Sequence, residues 1–567
     1  MDDSDLSAVP ASLAEQGSHL PFATETVVLS KLEFIELKSQ VNFYQAQHER
    51  ALARESALKQ QLAQEKAKVR DLNQRLYGRK SEQTKRRDTA SQGPTPALTP
   101  ARYRGQQPGS RGHGRTARPH LPVKEEIRDL VEDEKFCAEC GLPYRDLGTT
   151  EDSEIVEIQV SPYIRKIRRK KYSGCGCPGK KGIMTAPPAP RVLHRGNLGV
   201  SVWVEILLDK YLASQATHRL LSDFAQLGCP LSQGTVTGGL QRLAPLFAPL
   251  VDVLRDKHLC ERLFHADETG WKVFEAIDGK ESYRWYLWVT QSPSVVYYRM
   301  APGRDAGVVL EHFGGLEAGQ FPVFVVCDRY SAYKKLAAQI AVIRLAFCWA
   351  HVRRDFLDAA RSWPDLNAWM FEWIEAIGEL YRLNALRLAH WEEGKALSGQ
   401  CNASKRYHRA LRKHLSQMKA RSEACLQQPD LHDAQRSVLS SLNNHWAGLV
   451  LFAKHPHVPM DNNQAERSLR NPVTGRKRYY GSGRVWSAEL AAMLFTVLQT
   501  LRLWDINPRH WLSAYLTACA DNDGQAPADL SAFLPWDMTE ARRQALGLPA
   551  PITGVDAEAT RLWLDTG

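Results

Sequence analysis

Two stretches decide how this chain folds: Arg262-Leu-Phe-His-Ala-Asp267 and Phe321-Pro-Val-Phe-Val-Val-Cys-Asp328. Each is a short apolar run that ends on a carboxylate. Runs of this length and composition read as buried strands, which carry few charges along their length. An acid at the carboxyl end of such a strand projects into the crevice where open α/β sheets bind ligands. Two such acids on neighbouring strands repel each other, and divalent cations relieve that repulsion. Oxygen-only ligands suit Mg2+ or Mn2+. Either aspartate alone reads more readily as a strand-end turn residue or a helix cap than as a catalytic acid. Glu268 rivals Asp267 by adjacency, but it points to the other face if the strand continues, which favours Asp267.

Working outward, Tyr283 to Val289 and Val295 to Arg299 read as aromatic-rich strands, and Ala306 to Phe313 reads as a helix. Tyr330 to Gln339 is helical in pattern, Val342 to Cys348 is a further strand, and a helix starts near Trp349. Three strands, a helix, then alternating strand and helix is the order of a ribonuclease-H-like sheet. From about Asp355 to Phe452 the pattern is helical throughout, as in an insertion.

The sheet-associated part resumes at Asp461-Asn-Asn-Gln-Ala-Glu466-Arg-Ser-Leu-Arg470. Asp461 reads as the N-cap of a helix, with Gln464 as its capping-box partner. Glu466 then falls in the second turn, either pairing with Arg470 at i+4 or serving as a third metal ligand. Arg476-Lys-Arg478 and Tyr479-Tyr480-Gly-Ser-Gly-Arg484 read as a basic, glycine-containing loop. Arg476, Lys477, Arg478 and Arg484 are its candidate DNA contacts. Two ions held by Asp267, Asp328 and Glu466 serve both ends of an in-line displacement: one activates a water or a DNA 3′-hydroxyl, the other stabilises the leaving oxygen. Such a site cuts DNA with water and can then join the freed 3′ end to a second strand.

Composition agrees with a polyanionic partner. The chain has 567 residues, 74 Lys plus Arg against 63 Asp plus Glu, and a sequence pI of about 9.0. Ten of the basic residues fall between Arg79 and His120 with two acids, and ten between Ser161 and Arg195 with none. The candidate DNA contacts in the second block are Arg168, Arg169, Lys170 and Lys171. Eleven scattered cysteines do not make a disulfide scaffold. Cys137-Ala-Glu-Cys140 and Cys175-Gly-Cys177, with Ile155 to Val160 and Ile164 to Lys171 read as strands between them, resemble a zinc ribbon, a structural Zn2+ site. The alternative is four unrelated thiols. No secretory signal or membrane span is read, and a cytoplasmic, nucleoid-associated protein is expected.

Phe34, Leu37, Val41, Tyr44, His48, Ala51, Glu55, Leu58, Leu62, Glu65, Val69, Leu72 and Leu76 step alternately by three and four residues, as in a coiled coil that joins copies of the chain. A single amphipathic helix is the alternative. The whole reads as a multi-domain α+β protein. Residues 1–28 form a disordered tail, 29–78 the coiled coil, 79–122 a basic flexible linker and 123–192 the zinc module. Residues 193–257 form a helix-turn-helix-like region, with Ser232 capping its second helix. The catalytic core takes 258–354 and 455–505, with 355–454 as an all-helical insertion and 506–567 as a C-terminal region.

His265-Ala-Asp-Glu-Thr269, Cys348-Trp-Ala-His-Val-Arg-Arg354, Asp461-Asn-Asn-Gln-Ala-Glu-Arg467, Arg476-Lys-Arg-Tyr-Tyr-Gly-Ser482 and Leu76-Tyr-Gly-Arg-Lys-Ser-Glu82 resemble the blocks of the insertion-sequence-sixty-six transposases, DDE-type enzymes. The resemblance runs from about residue 30 to Trp536. It implies a ribonuclease-H-like catalytic domain with Asp267, Asp328 and Glu466 as the acidic triad. It also implies recognition of the element's terminal inverted repeats, action on target DNA as an oligomer, and small accessory proteins encoded by the same element. The spacing of Cys175 and Cys177 departs from the family's two-residue pattern. His351 lies in a matching block and is a possible auxiliary residue near the phosphates. Two other functions fit the same parts: a catalytically inert DNA-binding regulator, and a nuclease or resolvase that cuts without joining.

Overall fold

The structure is a computed structural model that describes residues 28–77, 123–127, 129, 131–143, 155–156, 160–173, 183–277, 282–316 and 321–547. The chain divides into two compact units, Met1–Ala90 with Leu357–Met370, and Ser91–Phe356 with Phe371–Gly567. The first unit contains one helix of 47 residues, α1 (Lys31–Tyr77). Its apolar side chains at Phe34, Leu37, Val41, Tyr44, Leu58, Leu62 and Val69 are all exposed. The tail at 1–27 and the linker at 78–122 lie outside the described residues.

In the second unit a two-stranded ribbon pairs β1 (Lys171–Ser173) with β2 (Ile183–Thr185). Of the strands expected at Ile155 to Val160 and Ile164 to Lys171, residues 157–159 lie outside the described residues; Ile155, Val156, Val160 and residues 161–170 are exposed and outside any strand, and Lys171 opens β1. Like charges crowd the basic run at 165–170. Helices α2 (Val200–Leu207), α3 (Thr217–Gln226) and α4 (Gln233–Leu259) follow. A five-residue π-helical turn, Leu208–Leu212, extends α2. Gly228, at φ +77°, turns the chain after α3. Ser232 caps α4 by accepting from the Thr235 amide at 3.1 Å.

The central sheet contains β3 (Leu263–Lys272), β4 (Arg284–Gln291), β5 (Val296–Ala301), β6 (Val323–Cys327) and β7 (Ile343–Phe347). Helices α5 (Ala306–Phe313) and α6 (Ser331–Gln339) connect β5 to β6 and β6 to β7. The order is β5-β4-β3-β6-β7, antiparallel from β3 to β5 and parallel from β3 through β6 to β7. The three strands, helix and alternating strand and helix read from the sequence are therefore present in that order.

Beyond β7 the described regular elements are helical: α7 (Trp349–Ser362), α8 (Asn367–Ala389), α9 (Asn402–Leu426), α10 (Asp433–Asn444), α11 (Trp446–Leu449), α12 (Leu451–Lys454), α13 (Asn463–Tyr479), α14 (Val485–Leu503), α15 (Pro508–Asp521) and α16 (Glu540–Leu546). The main core joins α2, α4, α14 and α15 to β4 and β5 through residues such as Trp203, Phe247, Leu287, Phe495 and Trp511.

Helix α14 also closes an edge of the sheet. Thr500 and Thr496 accept from the amides of Val296 and Tyr298 at 3.1 and 2.9 Å. Residues i and i+4 of a helix are about 6 Å apart along its axis, close to the roughly 6.8 Å between i and i+2 of a strand. Two threonines one turn apart therefore match two successive outward amides. Among the described residues no helix is long and apolar enough to cross a membrane.

Candidate active site

Strands β3 and β6 pair in parallel through Leu263↔Phe324, Phe264↔Val325 and His265↔Val326. Two residues further on come Asp267, still in β3, and Asp328, one residue past the end of β6, and the Asp328 charge is felt at Asp267. Strand β6 stops at Cys327, whereas β3 runs on to Lys272 beside β4. The expected strand end at Asp267 is thus corrected. Asp267 lies mid-strand, where β3 loses its parallel neighbour. Arg476 fills part of that gap, donating to Thr269 Oγ1 at 2.9 Å and to the Gly270 carbonyl.

The Glu466 charge reaches Asp267 from α13. Burial pushes the Asp267 carboxyl up to about 8, helped by the charges of Glu268, Glu466 and Asp328. No cation is among its principal influences. One Glu466 oxygen, Oε1, is buried without a hydrogen-bond partner. Crowded carboxylates with a spare buried oxygen fit a divalent cation bound through oxygen. The Asp328 side chain also accepts from the Tyr330 amide at 2.9 Å, which fixes the turn into α6.

Glu268 points the other way. Its side chain is 1% exposed and accepts from Arg304 at 2.5 Å and from the Tyr333 hydroxyl at 2.7 Å. The Arg304 guanidinium lies 4.0 Å over the Tyr330 ring. Glu268 is thus tied to Arg304 and α6, with the Asp328 charge also reaching it, while Glu466 and Asp328 both act on Asp267.

The start of α13 corrects the expected cap. Asn462, not Asp461, is the N-cap residue, and its side chain makes no cap bond. Asp461 accepts from the Asn463 amide at 3.2 Å, with no capping box through Gln464. The helix starts at Asn463, so Glu466 falls in the first turn. Asn462, 1% exposed, has another task. Its Nδ2 donates to the Ala266 carbonyl at 2.7 Å, its amide donates to Cys348 Sγ at 3.2 Å, and its Oδ1 lies 3.1 Å from His265 Nδ1. Since Nδ2 is the donor, Oδ1 is the acceptor, and His265 Nδ1 carries the proton. Burial lowers His265 to about 4, in keeping with that neutral form. One buried amide thus ties the Glu466 helix to the strand of Asp267 and to the end of β7. Local patterns did not reveal this residue; the doubled asparagine inside a matching block was the available signal.

His351, in the first turn of α7, has Nε2 3.7 Å from Glu466 Oε1, and its Nδ1 is buried without a partner. Burial lowers its pKa, and the Glu466 charge opposes that shift.

The basic residues are less uniform than expected. Arg476, Lys477 and Arg478 belong to α13, not to a loop, which begins at the left-handed Tyr480. Arg476 is tied to β3, Arg478 donates to the Ala213 carbonyl at 2.9 Å, and Arg484 pairs with Glu275 at 3.1 Å. Lys477 is exposed, and with Arg478, His218 and Arg219 it lines a cavity of about 810 Å3. Gly481, at φ +142°, serves packing: a Cβ there would meet the Lys272 carbonyl oxygen at 2.2 Å. Ser482 donates its amide to that oxygen at 2.8 Å, pinning the loop to β3.

Arg168, Arg169, Lys170 and Lys171 are exposed, and Arg169 donates to the Ala186 carbonyl at 2.6 Å. Cys137 and Cys140 lie in a turn closed by Gly141, whose amide donates to the Cys137 carbonyl at 2.9 Å. Cys175 and Cys177 lie outside the described residues.

The model of the family described as "Transposase IS66 family" matches residues 195–490. The chain is similar to the uncharacterized protein y4jD of Sinorhizobium fredii, at 24% identity over 76% of this chain and 83% of the relative. It is similar to y4qI of the same organism, at 27% identity over 73% of this chain and 76% of the relative. Among solved structures it matches a Drosophila P element transposase strand transfer complex, with 12% identity, TM-score 0.30, and coverage of 53% of this chain and 92% of that one. A Mos1 transposase paired-end complex matches with 14% identity, TM-score 0.12, and coverage of 47% and 81%.

Proposed function

The chain belongs to the IS66 transposase family, and from that premise we propose a DDE-type enzyme that binds the terminal inverted repeats of its element, cuts there, and joins the freed 3′ ends to target DNA. Asp267, Asp328 and Glu466 are its catalytic carboxylates, on a ribonuclease-H-like sheet interrupted by the helical insertion. The supporting observation is the crowding of these acids: burial, together with their charges, pushes Asp267 up to about 8.

Two divalent ions, Mg2+ or Mn2+, held by the three carboxylates would supply an attacking oxygen of lowered pKa and charge neutralisation at the leaving oxygen. The protein does the positioning. The common register of β3 and β6 sets the distance between the aspartates, and Asn462 holds the first turn of α13 so that Glu466 faces them. His351 flanks Glu466, and Lys477 and Arg478, with Arg168 to Lys171, attract backbone phosphates. The helix α1, with its exposed apolar seam, pairs copies of the chain, and the module around Cys137 and Cys140 binds structural Zn2+ with Cys175 and Cys177.

The test is a strand-transfer assay on a labelled element end with the full chain, Asp267→Ala and Glu466→Gln. Both variants are expected to lose cleavage and joining. Joining at the unaltered rate in both would remove the triad, and nicks without joined products from the unaltered chain would mark a nuclease.

A further inference from the structure

Cys348, His351 and Glu466 form a second grouping that oxygen chemistry does not explain. One ligand atom from each lies within 4.8 Å of the others. Cys348 and His351 sit at i and i+3 where β7 passes into α7, and Glu466 arrives from α13. Residues three apart at a helix start share a face. Two polar atoms here are buried with no hydrogen-bond partner, His351 Nδ1 and Glu466 Oε1, and His351 Nε2 lies 3.7 Å from that same oxygen. At that distance the ring and the carboxylate make no hydrogen bond. Buried groups of this kind are ordinarily satisfied, so orphans from two adjacent side chains call for an account.

We propose that Cys348, His351 and Glu466 are a three-ligand site for a borderline-soft divalent ion of the Zn2+ class. One sulfur, one nitrogen and one oxygen donor match the ligand types of such ions and suit Mg2+ poorly. Cys348 binds as thiolate, releasing its proton to solvent, and His351 binds as the neutral ring. Three protein ligands leave a fourth position open, as in catalytic rather than structural zinc sites. The site takes the carboxylate that the proposed DDE reading assigns to Mg2+ or Mn2+. On that reading, Zn2+ here competes with the catalytic ions and inhibits the enzyme.

The test uses the full chain with Zn2+ or Co2+ alone as probe, then with Mg2+ and a labelled element end. After dialysis the unaltered chain should retain one more Zn2+ than Cys348→Ser or His351→Ala, whatever is held elsewhere. The Co2+-loaded chain should show more thiolate-to-cobalt absorption than Cys348→Ser. Equal zinc counts in all three proteins would overturn the site. Circular dichroism checks each variant's folding; if Cys348→Ser misfolds, His351→Ala decides the count. In cleavage, with each protein referred to its own rate in Mg2+, half-inhibition by Zn2+ should need at least about 10-fold more ion in Cys348→Ser. Half-inhibition at the same concentration in both would overturn the competition. If the unaltered chain cleaves with no ion, the DDE reading fails while the zinc count still decides this site.

Discussion

Asp267, within β3, and Asp328, one residue beyond the end of β6, each lie two residues past the last paired positions of these parallel strands, His265 and Val326. A single residue, Ala266, separates Asp267 from His265, so the two share a face of β3, and the charges of Asp328 and Glu466 are felt at Asp267. The main electrostatic property of the site follows from this: acids are held together before any cation arrives.

Stability should therefore depend on pH in the metal-free protein. The folded pKa of Asp267, about 8, lies above its ordinary 3.8. Between these values the folded chain holds the extra proton, so stability falls as pH rises. In EDTA, the melting temperature should drop from pH 5 to pH 8, and drop less in Asp267→Asn. Added Mg2+ should recover the loss at pH 8. Parallel pH profiles for both proteins would mean that Asp267 is not the strained acid.

Glu268 gives the control one residue away. Glu268→Gln keeps one acceptor oxygen but loses the second, and the charge, that Arg304 and Tyr333 share between them, and should cost about 1–3 kcal/mol in urea unfolding. Its joining rate should stay within about 10-fold of the unaltered chain, while Asp267→Asn loses at least about 100-fold. Equal losses in both would show that the two faces of β3 are not functionally distinct.

Asn462→Ala should be damaging in two ways. Its side chain makes two buried contacts, to the Ala266 carbonyl and His265 Nδ1, that tie α13 to β3, and a buried polar group deprived of its partner costs about 1–3 kcal/mol. Glu466 then lacks a fixed approach, so turnover should fall more than DNA affinity. Gel shift and single-turnover cleavage separate these effects; a drop in affinity alone would contradict the clamp.

Gly481→Ala should destabilise the chain by at least about 1–3 kcal/mol, because the backbone conformation is strained for alanine and the added methyl meets the Lys272 carbonyl. Thermal melts measure this, and an unchanged midpoint would mean that the loop lifts away from β3.

Removing residues 29–78 should lower the oligomeric state seen by light scattering. The exposed seam of α1, with Phe34, Leu37 and Val41 each about half accessible, is the apolar surface that a second copy would cover. An unaltered mass would assign self-association to other elements.

Much of the sheet was legible because its signals are local. The apolar runs before Asp267 and Asp328 gave two adjacent parallel strands, and the helix from Ala306 to Phe313 was read to the residue. What escaped depends on partners about two hundred residues away. Thr269 and Gly270 look like the end of a strand, yet β3 continues through them, with Arg476 bonding to both. The basic run from Arg476 to Arg478 resembles a loop by charge, but Leu469, Pro472 and Gly475 bury one side of a continuous helix there. Asp461 had the chemistry of a cap, and Asn462 took the position because its amide bonds across to Ala266. The run from Ile164 to Lys170 carries only two apolar residues among five like charges and stays exposed.

Thr496 and Thr500 carry a consequence for assembly. Chains with an open β-border can join by lending a strand to a neighbour's sheet, a route that also leads to fibrils. Here the amides of Val296 and Tyr298 are already engaged by those hydroxyls. At these two positions an incoming strand finds no vacant donor, so this margin offers no template there for annealing to another chain.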